Sequence, residues 1–192
     1  MLTSHVHDDA PGRRGTVLAP AADDPAAFRA PLEVLAAEHT RQITICDMLD
    51  RWVRAPRRTE HAELTAVHGY LVRELPLHIE DEDGDLFPML KRRLPLGDDT
   101  EAIFAQLHAE HEADRALQIE LVRDLECLIR NVAFDDPARF FMNAFAFSQA
   151  LRRHLAWENA VIMTRAERHL TDEDHAELGR RMAARRGLTL PD

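Results

Sequence analysis

The chain contains few of the residues that secreted or membrane proteins depend on. Its 192 residues include only two cysteines, Cys46 and Cys127, so a disulfide-stapled fold is not expected and the cytoplasm is the default compartment. No apolar run approaches the ~20 residues of a membrane span. The apolar segment at residues 17–19 is too short for the core of a signal peptide. A membrane partner is therefore not expected.

Basic residues are in deficit. Lysine and arginine total 24 against 34 aspartates and glutamates, a formal net charge of -10, which argues against nucleic acid or an anionic membrane as a partner. The sequence also has no glycine-rich nucleotide-binding loop and no recognisable Ser-His-Asp or Cys-His arrangement. These absences leave an enzymatic role undecided.

The apolar residues that are present recur in steps of three and four, which predicts helices with one buried face. Four long helices and a short fifth are expected at about 31–54, 59–82 (resuming over 89–93), 100–128, 137–161 and 172–186. Pro76 should kink the second helix or divide it. Consecutive helices with short connections pack antiparallel. The predicted fold is therefore all-α, an up-down-up-down four-helix bundle with a short extra C-terminal helix.

The chain has the length of one domain. Residues 1–28 carry proline, glycine, alanine and charges without a periodic apolar pattern, which predicts a flexible N-terminal leader. The helical bundle is assigned to residues 29–187, and residues 188–192 form a C-terminal tail.

The pattern His-x3-Glu occurs twice, as His78–Glu82 and His154–Glu158. Residues four apart lie one turn apart on the same helix face. His39 and His111 interrupt the apolar seams of the first and third helices. In an up-down bundle, all four histidines fall at the same end.

Buried polar groups need partners, and six of them at one level are hard to reconcile with ordinary core packing. A lone histidine in a seam is usually a hydrogen-bonded core residue, and a hydrated polar network is the alternative here. A carboxylate-bridged dimetal centre would satisfy all six groups at once. The candidate metal ligands are His39, His78, Glu82, His111, His154 and Glu158. Glu82 and Glu158 would bridge, with two histidines on each metal; imidazole and carboxylate without thiolate suit iron, and also manganese or zinc.

These stretches together resemble the hemerythrin-like, HHE cation-binding family over about residues 30–187. The resemblance is carried by Glu38-His39, Leu75-Pro76-Leu77-His78 through Glu82 to Leu86-Phe87-Pro88, Glu110-His111, His154 through Glu158, and the closing segment 182–187, which resembles bacterial members. It implies a left-handed four-helix bundle, two iron ions (Fe2+/Fe3+) with a bridging oxo or hydroxo group, and metal-ligand roles for the same six residues.

The sequence departs from the oxygen-carrying hemerythrins in two ways. Those proteins have a second histidine four residues away in the third helix, where Leu107 and Arg115 flank His111. They also end with a His-x4-Asp pair, whereas this chain has His154-x3-Glu158. His108 is a candidate fifth histidine, three residues before His111. Reversible oxygen carriage is therefore not the expected role.

Two functions follow as hypotheses. The first is a cytoplasmic di-iron protein that binds or reacts with oxygen, peroxide or nitric oxide, in redox or nitrosative stress or in sensing. The second is an iron-dependent regulatory or protein-interaction module without turnover. A basic C-terminal group could serve a partner, although a solvated helix face explains it equally well: Arg180, Arg181, Arg185 and Arg186.

Overall fold

A computed structural model describes residues 24–55, 59–95, 99–132 and 136–190. All regular secondary structure in these ranges is helical, which confirms the all-α prediction. The α-helices are α1 (Pro31–Arg54), α2 (His61–Gly69), α3 (Leu75–Glu80), α4 (Phe87–Arg93), α5 (Thr100–Ile129), α6 (Pro137–Trp157), α7 (Thr164–His169) and α8 (Asp172–Arg185). Most of the predicted leader, residues 1–23, lies outside the described ranges. None of the described helices is long and apolar enough to cross a membrane.

Three π-helical turns join some of these helices into longer runs. Tyr70–Glu74 links α2 to α3, Asp81–Leu86 links α3 to α4, and Glu158–Met163 links α6 to α7. Pro76 lies in the first turn of α3, directly after a π-helical turn. The division predicted at Pro76 is thus a change of hydrogen-bonding pattern within one run, because proline cannot donate the backbone bond of a regular α-helix.

The helix ends follow the local chemistry of their residues. Pro31 and Pro137 open α1 and α6, where a missing N–H costs nothing. The Asp136 side chain accepts a bond from Arg139 N and caps α6. Thr171 and Asp174 form a reciprocal capping box at α8.

Two hydrophobic clusters fill the interior. One includes Leu35, Leu86, Leu107 and Ile162, and the other is built around Trp52, Phe140 and Phe147. Along α1 and α5, the seam histidine falls between the positions that supply the two clusters. The fold therefore places a layer of polar side chains between the two hydrophobic clusters.

α1 and α6 run in opposite directions. Ser148 donates to Asp50 over 2.5 Å, whereas His39, near the start of α1, contacts Asn159, just beyond the end of α6. At the far end of α1, the Trp52 indole donates to Glu63 in α2 over 3.1 Å. These polar contacts hold the helices in register.

α8 packs closely on the rest of the chain. Its Gly179 lies against the backbone of a short 3-10 helix, Pro25–Arg29, whose Phe28 is fully buried. Three of the four C-terminal arginines form ion pairs with other helical segments: Arg181 and Arg185 with Asp85, Arg185 and Arg186 with Asp81, and Arg186 with Glu38. Arg185 and Arg186 form neither a free partner surface nor a solvated helix face, because these carboxylates largely enclose both side chains.

Replacing Gly179 with alanine should lower the free energy of unfolding by about 3 kcal/mol, because the new Cβ would lie 1.9 Å from the Phe28 carbonyl oxygen and only a backbone shift relieves that contact. Gly84→Ala is the matched control. Its Cβ meets only the end of the exposed Glu80 side chain, and alanine is favoured over glycine in a helix by roughly 0.5–1 kcal/mol. Urea unfolding followed by circular dichroism measures both. Equal stabilities would contradict this packing of α8.

Candidate metal centre

The six predicted ligand residues meet in the interior. One group of four contains His39, His78, Glu82 and Glu158, and a second contains His111, His154 and the same two glutamates. Within each group the potential ligand atoms all lie within 4.8 Å of one another. All six side chains are buried. The two carboxylates are therefore common to two adjacent ligand sets.

The distances at the centre fit shared ligation. His39 Nε2 is 3.4 Å from Glu82 Oε1 and 3.5 Å from Glu158 Oε2, and His78 Nε2 is 3.4 Å from Glu82 Oε2. Donors that each bind one ion at about 2.1 Å lie roughly 3 to 4 Å apart. His78 Nε2 and Glu82 Oε2 have no hydrogen-bond partner among the described residues. Buried groups left in this way fit a cation between them.

A second set of side chains fixes the orientation of each histidine through its other ring nitrogen. The Nδ1 atoms of His78, His111, His154 and His39 contact Glu38 (2.9 Å), Asp83 (3.0 Å), Glu110 (3.1 Å) and Asn159 (2.8 Å), respectively. An ionised carboxylate and an amide oxygen can only accept, so Nδ1–H donates in each case. Each Nε2 is then left with its lone pair directed at the centre, as metal ligation requires.

Each of these four orienting residues is adjacent in sequence to a predicted ligand other than the one it contacts. Glu38 precedes His39 but holds His78, and Glu110 precedes His111 but holds His154. In the other two cases the partner follows one of the two glutamates shared by both groups.

Asp83 follows Glu82 and holds His111, and Asn159 follows Glu158 and holds His39. Each of these partners thus sits beside one predicted ligand while orienting another on a different helical run. The sequence pattern singled out Glu38 and Glu110 only as part of a family resemblance, and Asn159 not at all. Their adjacency to the ligands was the available signal.

The aspartates beside Glu82 have different roles. Asp81 and Asp85 are buried and paired with arginines of the C-terminal segment. An arginine from a distant segment therefore covers each of these two carboxylates. Asp83 alone reaches a histidine of the cluster.

His108 lies outside the cluster. Its side chain is 62% exposed, and its Nδ1 is 3.0 Å from the same Asp83 oxygen that accepts from His111. It belongs to neither group of potential ligand atoms. The candidate fifth histidine is thus placed on the surface side of Asp83.

The buried charges shift the proton affinities of the cluster when no cation compensates them. Burial raises the pKa of Glu82, and the neighbouring Glu158 carboxylate raises it further. Burial alone would lower the pKa of His154, but Glu158, 2.7 Å away, and Glu110 outweigh it and raise that pKa. The same contact lowers the pKa of Glu158 despite its burial. Both groups therefore bind a proton more tightly in the metal-free protein than they would in water.

A small cavity adjoins the cluster. His78, His111 and His154 form part of its wall, together with Gln42 and Gln118. The space open to the centre of a water molecule is about 20 Å³. A water molecule needs roughly 10–15 Å³ on this measure, so the cavity accepts a ligand of only a few atoms.

This arrangement defines an all-helical protein with a buried histidine and glutamate cluster able to hold metal ions. Residues 30–166 match the family model described as "Hemerythrin HHE cation binding domain". The chain belongs to this family, and its histidine and glutamate cluster fits a metal site. No curated protein and no solved structure matches the chain.

Removing an orienting carboxylate should weaken metal binding. We expect Glu110→Ala to reduce affinity by about 10- to 100-fold, because His154 loses the acceptor that fixes its ring. Glu110→Gln keeps an acceptor and should lose less. Competition with a chromophoric chelator measures these affinities. The exposed Glu112→Ala is the matched control, and a loss equal to that of Glu110→Ala would contradict the orienting role.

Metal affinity should rise with pH across the neutral range. The protons on Glu82 and His154 must leave before these groups can ligate, and both pKa values are raised, so higher pH favours the metal-bound form. Calorimetric titration with redox-inert zinc, in buffers of different ionisation enthalpy, measures the proton release. A binding enthalpy independent of the buffer would contradict this protonation scheme.

Proposed function

We propose that the protein binds a pair of iron ions and uses them to bind, or react with, oxygen, peroxide or nitric oxide. His39 and His78 would hold one ion and His111 and His154 the other, with Glu82 and Glu158 bridging the two. The observation that carries this proposal is that both glutamates belong to both groups of ligand atoms. Manganese or zinc would fit the same donors.

The proposed architecture is an up-down-up-down four-helix bundle over residues 29–187, followed by a short C-terminal tail. The opposite directions of α1 and α6 support this order. So does the grouping of His39, in the early half of α1, with the His-x3-Glu pair of the next helical run. His111, in the early half of α5, is grouped in the same way with the pair of the run that follows α5. Antiparallel neighbours bring such positions to one level.

The metal pair would supply Lewis acidity and one-electron redox chemistry at positions left open by the protein. The chain contributes the rest. Its four histidines are oriented from outside by Glu38, Asp83, Glu110 and Asn159, its hydrophobic clusters exclude bulk water, and the cavity limits the size of what can approach. Such preorganisation favours a small ligand over an organic substrate. A role in redox or nitrosative stress, or in sensing, would suit this chemistry, and a cytoplasmic location would suit the scarcity of cysteine.

Two hydrogen bonds that share Glu38 favour the second candidate, an iron-dependent regulatory module. Arg186, just beyond α8, donates to Glu38 over 2.9 Å, and Glu38 accepts from His78 over 2.9 Å. The docking of the C-terminal helix is thereby joined to a proposed ligand, so metal occupancy could bias it. Catalytic consumption of peroxide or nitric oxide would favour the first candidate over this one.

Elemental analysis of protein produced with supplemental iron tests the proposal. Two irons per chain are expected, one for each ligand group, with a near-ultraviolet band that responds to peroxide, oxygen or nitric oxide. Glu82→Ala and Glu158→Ala should each lose metal from both positions, because each removes a bridging donor.

Glu126→Ala is the matched control for those variants. It removes a half-exposed carboxylate that pairs with His68, outside the cluster. Unchanged metal content in the Glu82 and Glu158 variants, or a maximum of one ion per chain in the parent protein, would rule out the bridged pair.

A further inference from the structure

Gln42 is the polar residue that the proposed ligation leaves unexplained. It lies on α1, three residues after His39 and therefore on the same helix face. Its side chain is only 1% exposed, and it forms part of the wall of the cavity beside the cluster. Its amide nitrogen, Nε2, has no hydrogen-bond partner among the described residues. A buried donor without an acceptor costs about 1–3 kcal/mol.

Gln118, the other glutamine of the cavity wall, has no such unsatisfied donor. Gln118 also lines the cavity, but its amide donates to the Leu71 carbonyl over 2.6 Å. Arg115 lines the cavity as well, yet it is exposed, so water can satisfy its guanidinium. Among the described lining residues, Gln42 therefore combines full burial with an unused donor.

The rest of the wall restricts what Gln42 can bind. Leu75, Ile79, Phe147 and Leu151 supply apolar surface, and the half-buried Asp114 adds a carboxylate. A neighbouring surface groove shares Ile79, His111, Arg115 and Gln118 with the cavity. The cavity and this groove therefore adjoin each other.

We propose that Gln42 recognises the ligand of the metal pair, by donating a hydrogen bond from Nε2 to a small anion or polar diatomic species held in this cavity. The inference rests on the proposed function, because it presupposes metal ions between the histidines and glutamates. The ligand class is set by size and polarity: a few atoms, with an electronegative atom that accepts one hydrogen bond. Gln42 is thus a specificity-determining residue rather than a metal ligand.

Azide is a suitable probe because it is a small anion whose terminal nitrogen can accept a hydrogen bond. In iron-loaded protein, Gln42→Leu should weaken azide binding by about tenfold or more, the change expected when a hydrogen bond to a charged group is lost. Iron content should stay at the parent value. Optical titration gives the affinity, and the infrared stretch of bound azide should shift on transfer to D2O in the parent but not in the variant.

Gln118→Leu is the matched control, because it changes the same cavity wall but removes an amide that is already paired. Its azide affinity should remain within about threefold of the parent. Gln42→Met, which keeps the length of glutamine, is the second variant if Gln42→Leu folds poorly, and should show the same loss.

Equal azide affinity in the parent and Gln42 variants that retain iron would overturn the role of Gln42 and leave the metal pair standing. An equal loss in the Gln42 and Gln118 variants would overturn it too, since a change of cavity shape would then explain both. Failure of the parent protein to load iron would be seen first by elemental analysis, and would overturn the proposed function and this inference together.

Discussion

The structure depends on the burial of six polar side chains, the proposed metal ligands, between two hydrophobic clusters. Two carboxylates and four imidazoles in such a place cannot be satisfied by one another, as the unpartnered atoms of His78 and Glu82 demonstrate. A cation pair is the proposed compensation, because it would neutralise both glutamates and accept every Nε2 lone pair. Without it, burial and the neighbouring carboxylates raise the pKa values of Glu82 and His154.

The orienting hydrogen bonds turn this cluster into a property of the whole helical assembly. Each histidine is held by a residue from another helical run, and that residue is the sequence neighbour of a different proposed ligand. A shift of one helix would therefore disturb two ligand positions at once. α8 is joined to the same system through Arg186 and Glu38, so the C-terminal helix is part of the support of the site.

Much of the helical structure was predictable because it is local. The three-and-four spacing of apolar residues, and prolines suited to first turns, predicted the bounds of α1 and the start of α6 as the structure has them. The two His-x3-Glu pairs were equally visible, since residues four apart share a helix face. The π-helical turns at both glutamates were not predicted. They contain the buried Glu82 and Glu158, and no residue pattern marks them.

By itself, the sequence determined the all-helical class, the family and the identity of the six residues that meet at the cluster, because periodicity and i, i+4 spacing are written along one helix at a time. Only the tertiary structure decided which side chains orient the histidines, where the C-terminal arginines point, and that Gln42 faces a cavity with a free donor. His39 and Asn159 are 120 residues apart, and Glu38 and Arg186 are 148 apart. Such contacts depend on how helices pack against one another, which local patterns do not specify.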